Sequence, residues 1–245
     1  MSRVLRAVLS PRLLEPESVQ GCTAVVIDVI RATTTIVTAV RNGAAGIRPC
    51  ASVEEARAVV RAMAPGSYLL GGERGGVKIG GFDLGNSPRE YTAERVAGKV
   101  VVFTTTNGTR ALRLAEGAER VLVGAILNIS ATAGVIARDG REAVLVCAGV
   151  DGRVCAEDAL CAGGIAEHLA AEGWDLDDSA RLAAASWREV SRSRGALETA
   201  LLASAGGRNL VAVGLEADVH ECAAVDDAIL VPEFGRKTGL ISVGP

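Results

Sequence analysis

Three short polar clusters carry the residue types needed to hold and attack an oxyanion. The first is Asp28, Arg31 and the hydroxyls of Thr33, Thr34 and Thr35. The second runs Thr104, Thr105, Thr106, Asn107, Gly108, Thr109, and the third extends from Asp151 to Glu157 and Asp158. Threonine hydroxyls, glycine amides and an arginine suit the oxygens of a phosphate or sulfonate. Carboxylates suit magnesium, which takes one or two protein acids and fills its shell with substrate oxygens and water. Together these are the parts of a metal-assisted phosphoryl-transfer site, where the protein positions groups and neutralises charge. Each cluster also has a plain structural use. Asp28 can cap the helix that follows it. Thr104 to Thr106 suit a strand, with Asn107-Gly108 as a turn. Glu157 and Asp158 favour a helix start through the dipole alone.

The elements that must position these groups follow from hydrophobic pattern. Ala24 to Ile27 is a short β-branched run, the mark of a buried strand. After Asp28 the pattern turns helical through Ile36, Val37 and Val40 and stops at Asn42-Gly43. That places a carboxylate at the carboxyl end of a strand and an arginine near a helix N-terminus, where open α/β sheets bind ligands. Val100 to Phe103 leading into Thr104–Thr109, Val121 to Val123 leading to Asn128 and Ser130, and Ala143 to Val146 leading to Glu157 repeat this strand–loop–helix order. Its iteration predicts an α/β fold with a largely parallel or mixed sheet covered by helices on both faces. If the strands are parallel neighbours, the three clusters gather on one sheet edge. Further expectations are an edge strand at Val4–Leu9, a short strand at Ile47–Pro49 and a helix opened by the Ser52/Glu55 capping pattern. Strands are also expected at Tyr68–Leu70 and Ala228–Val231, with an edge strand at Leu240–Val243, and helices over Leu176–Ser191 and Gly195–Ser204. The glycine-rich stretch Gly71–Thr92 carries Glu73, Asn86 and Ser87 and reads as an ordered loop over a site.

Composition narrows the class. The chain has 245 residues, 49% hydrophobic but only 3% aromatic, so the core is built of Ala, Val, Leu and Ile. One α/β domain over residues 1–245 is the simplest reading, and nothing marks a boundary. A net charge of −3 without a basic run argues against nucleic acid. No run approaches a membrane span, and Pro11 and Arg12 interrupt the N-terminal apolar stretch, so neither a membrane nor a secretory signal is expected. Six cysteines without a C-x-x-C pair read as buried free thiols of a cytoplasmic protein. The P-loop, the dinucleotide fingerprint and the nucleophile elbow are all missing.

The strings DVIRATTT, GGERGG, FDLGNSP and TTTNGT, followed by Asp151-Gly152-Arg153 and Cys155-Ala156-Glu157-Asp158, resemble the 2-phosphosulfolactate phosphatase family in this order. The resemblance runs from about Ala24 to His168 and more weakly through Asp218 to Cys222. It implies a three-layer α/β/α fold and a magnesium-dependent phosphatase acting on phosphate esters of small anionic 2-hydroxy acids. The named substrate is (2R)-2-phospho-3-sulfolactate, in coenzyme M synthesis. By position it implies Asp28, Arg31, Glu73 and Glu157 as catalytic residues and Asp28, Glu73 and Asp158 around the Mg2+. Thr33, Thr34, Asn86, Ser87 and Thr104–Thr109 would contact substrate. Asp28 is then either a metal ligand or the nucleophile. A homo-oligomer is compatible with this reading. The competing reading is a catalytically silent binding module for phosphorylated or sulfonated metabolites, using the same loops without the acids. A nucleotide-binding regulator is weaker, for want of a P-loop or a base-binding signal.

Overall fold

In a computed structural model, which describes residues 3–244, the first half of the chain alternates strands and helices. The strands are β1 (Val4–Val8), β2 (Thr23–Ile27), β3 (Gly46–Pro49), β4 (Tyr68–Arg74), β5 (Val77–Lys78) and β6 (Val100–Thr104). The helices are α1 (Ala32–Arg41), α2 (Val53–Val60), α3 (Ala93–Val96) and α4 (Gly108–Ala115). The second half supplies β7 (Arg120–Gly124), α5 (Ile129–Asp139), β8 (Ala143–Cys147), α6 (Ala156–Ala171), β9 (Asp175–Leu176) and α7 (Asp178–Val190). It ends with α8 (Arg194–Ala203), α9 (Ala205–Ala212), α10 (Ala217–Cys222), β10 (Glu233–Gly235) and β11 (Leu240–Ser242).

The described strands form one mixed sheet in the order β5-β4-β6-β3-β11-β10-β7-β2-β8-β1-β9. Strands β2 and β8 are buried at every residue, as expected when helices cover both faces. Alternate side chains go to separate cores. Val25, Ile27, Leu122 and Leu145 pack under α5, α6 and α7, while Ala24, Val26, Val123 and Val146 pack under α1 and α4. A smaller core of Cys50, Ala56, Phe82 and Val102 seats α2. The three-layer α/β/α arrangement is therefore present.

Several local expectations change. Strand β1 lies between β8 and the two-residue β9, and β11 lies between β10 and β3, so neither is an edge. Leu176 belongs to β9. Helix α7 starts only at Asp178, because Asp177 Oδ1 accepts the Ala180 N–H at 2.7 Å and caps it. No strand forms over Ala228–Val231, where neighbouring loop groups hold the backbone instead of a ladder. Ala228 N–H donates to Leu127 O at 2.8 Å and Asn128 Nδ2 to Leu230 O at 3.1 Å. The glycine-rich stretch begins not as loop but as the end of β4, which turns back into β5. All six cysteines are buried and free.

The first and third clusters meet by strand adjacency, since β2 pairs in parallel with β8, but the second, after β6, does not. The β10–β11 hairpin is antiparallel to β7 on one side and to β3 on the other. The block β4-β6-β3 thus runs opposite to the block β7-β2-β8-β1-β9. Helix α4 then lies against β2 and α1 and delivers its first turn to the end of β2.

Candidate active site

The end of β2 is braced before it is functional. Thr33 Oγ1 accepts the Asp28 N–H at 3.1 Å, and Thr33 N–H donates to Asp28 O at 2.8 Å. Thr34 Oγ1 donates to Val29 O at 2.8 Å, and Thr35 Oγ1 donates to Asn86 O at 2.9 Å. Thr33 and Thr34, expected to contact substrate, therefore spend their hydroxyls on the loop that presents Asp28. Asp28 Oδ1 accepts the Ala32 N–H at 3.4 Å at the start of α1. Its Oδ2 faces Gly108: a Cβ there would stand 2.9 Å from that oxygen and 2.7 Å from Ala32 Cβ. Glycine lets the first turn of α4 come this close.

Asn107 gives that turn no side-chain cap and the turn holds no acid, so apart from the Thr109 N–H its first N–H groups are left to an anion. Thr105 and Thr109 fold it by reciprocal bonds, Thr105 N–H to Thr109 Oγ1 at 3.1 Å and Thr109 N–H to Thr105 Oγ1 at 3.4 Å. Thr104 is fully buried and accepts from Arg74 Nη2 at 3.0 Å. Of the second cluster, Thr105, Thr106 and Asn107 line a cavity of about 270 Å³, together with Asp28, Arg31, Glu73 and Asn86. Ser87 does not line it; its hydroxyl donates to Asp218 Oδ1 at 2.7 Å.

The acids divide into two groups. Glu73 accepts the N–H of Gly76 at 2.7 Å and of Thr106 at 2.8 Å, tying the β4–β5 hairpin to the α4 turn. Asp158 accepts the N–H of Val29 at 2.8 Å and of Gly149 at 2.9 Å, locking the ends of β2 and β8 together beneath the cavity. Both oxygens of each are thereby engaged. Glu157, by contrast, takes the Gly206 N–H on Oε1 at 2.9 Å while its buried Oε2 has no partner. A side chain at Gly206 would collide with Glu157 Oε1, so the second residue of α9 must be glycine.

This concentration of carboxylates is felt electrostatically. Burial pushes the Asp28 pKa up to about 7; the Ala32 N–H opposes the rise, the charges of Glu73 and Glu157 add to it, and Arg31 opposes it. Burial, then the charges of Asp28 and Glu157, hold Asp158 well above the usual carboxylate range. Among the described residues no group of three or more acids, histidines or cysteines is arranged to hold a metal unaided. Magnesium does not require one, since it uses one or two protein acids. Asp28, with Oδ2 turned to the α4 start, and Glu157, with an orphaned oxygen, fit that demand.

Two groups in the site carry little sequence signal. Asp218 is 1% exposed and accepts from Arg31 Nη1 at 2.7 Å. The start of α9 forms another wall through Ala205, Gly206 and Asn209. The one hint of it is Gly206-Gly207 inside a helix, which is unfavourable unless packing requires it. The third strand–loop–helix unit stays outside: Asn128 Oδ1 caps the Ala125 N–H at 2.9 Å, and Ser130 bonds Asp226 and His168.

A family model described as 2-phosphosulpholactate phosphatase matches residues 8–237. A probable 2-phosphosulfolactate phosphatase of Symbiobacterium thermophilum is 43% identical over 219 residues, covering 89% of this chain and 93% of that protein. One of Deinococcus radiodurans is 45% identical over 222 residues, covering 89% and 90%. One of Caldanaerobacter subterraneus is 40% identical over 218 residues, covering 89% and 88%.

Proposed function

The chain belongs to the 2-phosphosulfolactate phosphatase family, and from that premise we propose that it hydrolyses 2-phospho-3-sulfolactate to 3-sulfolactate and phosphate with magnesium, in the cytoplasm. The observation that carries this reading is the meeting of a buried Asp28 with an uncapped helix start across Gly108. An acid and an anion-binding turn that close together serve a phosphoryl group poised between them.

In this reading the N–H groups at the start of α4 bind the phosphoryl oxygens, and Asp28 Oδ2 addresses phosphorus or the water that attacks it. Glu73 acts as a positioning residue, because its two bonds set the hairpin against the Thr106 turn. Asp158 does the same for the ends of β2 and β8. Asp28 and Glu157 would hold the magnesium, a set that replaces the Asp28, Glu73 and Asp158 expected from the sequence. When bound, the ion neutralises the excess carboxylate charge and polarises phosphoryl oxygens. The leaving alkoxide takes a proton as the ester P–O bond breaks, and water supplies the oxygen that ends on phosphate. If Asp28 is the nucleophile, an aspartyl-phosphate is trapped in acid quench; if it serves water or metal, none is.

The test is phosphate release from 2-phospho-3-sulfolactate, 2-phospholactate and 2-phosphoglycolate, with magnesium and with chelator. Release that requires magnesium and favours the sulfonated ester is expected. Equal release in chelator removes the metal from the reading, and no release from any ester removes the activity.

A further inference from the structure

Arg31, Gly76 and Asn86 line a second space of about 250 Å³ as well as the first, whereas Asp28 and Thr105–Asn107 line only the first. Arg31 and Asn86 thus form a wall distinct from the α4 turn. The wall is built rather than incidental, since the two side chains are 4% and 5% exposed. Arg31 is clamped at both ends of its guanidinium, Nη1 to Asp218 Oδ2 at 2.7 Å and Nη2 to Gly76 O at 2.6 Å. Asp218 is steadied in turn by the Ser87 hydroxyl at 2.7 Å. A guanidinium has five N–H donors, so a plane fixed by two bonds still has donors to offer.

Asn86 supplies the second, independent observation. Its backbone carbonyl is pinned by Thr35 Oγ1, yet its Oδ1 is buried without a partner. An anion takes only the Nδ2 donors of an amide, and with no partner fixing Oδ1 the amide is free to turn those donors to it. No free acid competes on this wall. Asp218 is spent on Arg31 and Ser87, and both oxygens of Glu90, in the second space, face the Gly85 N–H at 3.1 Å.

We propose that this wall binds one of the two non-phosphoryl acids of the substrate, its carboxylate or its sulfonate, through Arg31 and Asn86, with Asp218 as the positioning residue behind Arg31. The assignment rests on the reading of the cavity as a phosphomonoesterase site. It divides the labour: phosphoryl oxygens go to the α4 turn, and a second acid of the substrate goes to side chains that keep their geometry without it. A planar, doubly held guanidinium beside an amide suits a flat or tripodal anion.

Calorimetric titration in magnesium buffer tests this, with 3-sulfolactate and inorganic phosphate as separate probes of the wild type, Asp218→Asn and Asn86→Ala. Each substitution should weaken 3-sulfolactate about tenfold and move phosphate less than about twofold. A structural role for Asp218 weakens both probes alike, and that result overturns the proposal. So does unchanged 3-sulfolactate affinity, or a wild type that does not bind it. Circular dichroism establishes folding, and Asn86→Ala decides if Asp218→Asn does not fold. Selective loss of binding in a protein that releases no phosphate would sink the phosphatase reading and leave the wall standing.

Discussion

Asp28 is a carboxylate whose charge the fold resists. Burial, with Glu73 and Glu157 nearby, raises it from 3.8 to about 7. Between those values the folded chain holds a proton that the unfolded chain has lost, so this group's contribution to stability falls as pH rises through that window and levels off above it. The metal-free wild type should therefore lose melting temperature between about pH 4 and pH 7 more steeply than Asp28→Asn. Magnesium should restore the wild type at the higher pH. Scanning calorimetry reads both, and parallel slopes for the two proteins would remove the strain assigned to Asp28. At this scale the sequence was legible where residues sit next to a strand end: Asp28, Arg31 and Thr105–Asn107 all reach the cavity. It was barely legible for Asp218, which lies in a stretch of weak resemblance and meets Arg31 across 187 positions. Thr33 and Thr34 show the ambiguity of such signals, because a hydroxyl near a helix start serves the backbone, as theirs do, as readily as a ligand.

Among the elements, α4 matters most for chemistry because its first turn closes the site against α1. Gly108 is the contact. An alanine there places a methyl 2.9 Å from Asp28 Oδ2 and 2.7 Å from Ala32 Cβ, so either the carboxylate or the helix must move. Gly108→Ala should reduce phosphate release by roughly a hundredfold, with a change in stability of only about 1–3 kcal/mol. Urea melts and turnover measured on the same preparation check this; full activity would mean that the turn is not part of the site. Strand–loop–helix order showed in the sequence because β2, β6, β7 and β8 are apolar runs with helix-spaced patterns after them. The pairing of short elements did not show. Three-residue strands such as β10 and β11 carry too little pattern to announce a hairpin. The nearby apolar run Ala228–Val231 mimics a strand while being held by loop groups.

For the molecule as a whole, the consequence of that hairpin is topological. It joins two oppositely directed parallel blocks into one sheet, and the ligand cavity lies where the ends of both blocks and the start of α9 come together. The three-layer class could be read from iterated units, but the reversal between blocks could not, since it depends on two short strands near the C-terminus. No helix among the described residues is long and apolar enough to cross a membrane. Loops from both blocks and from the C-terminal helices converge on Asp28, so the most direct measurement is its replacement. In magnesium, with 2-phospho-3-sulfolactate as substrate, Asp28→Asn should keep the wild-type circular dichroism spectrum and lose phosphate release by roughly a thousandfold or more. A folded Asp28→Asn variant that turns over within about tenfold of wild type would contradict the assignment of Asp28 as the reaction centre.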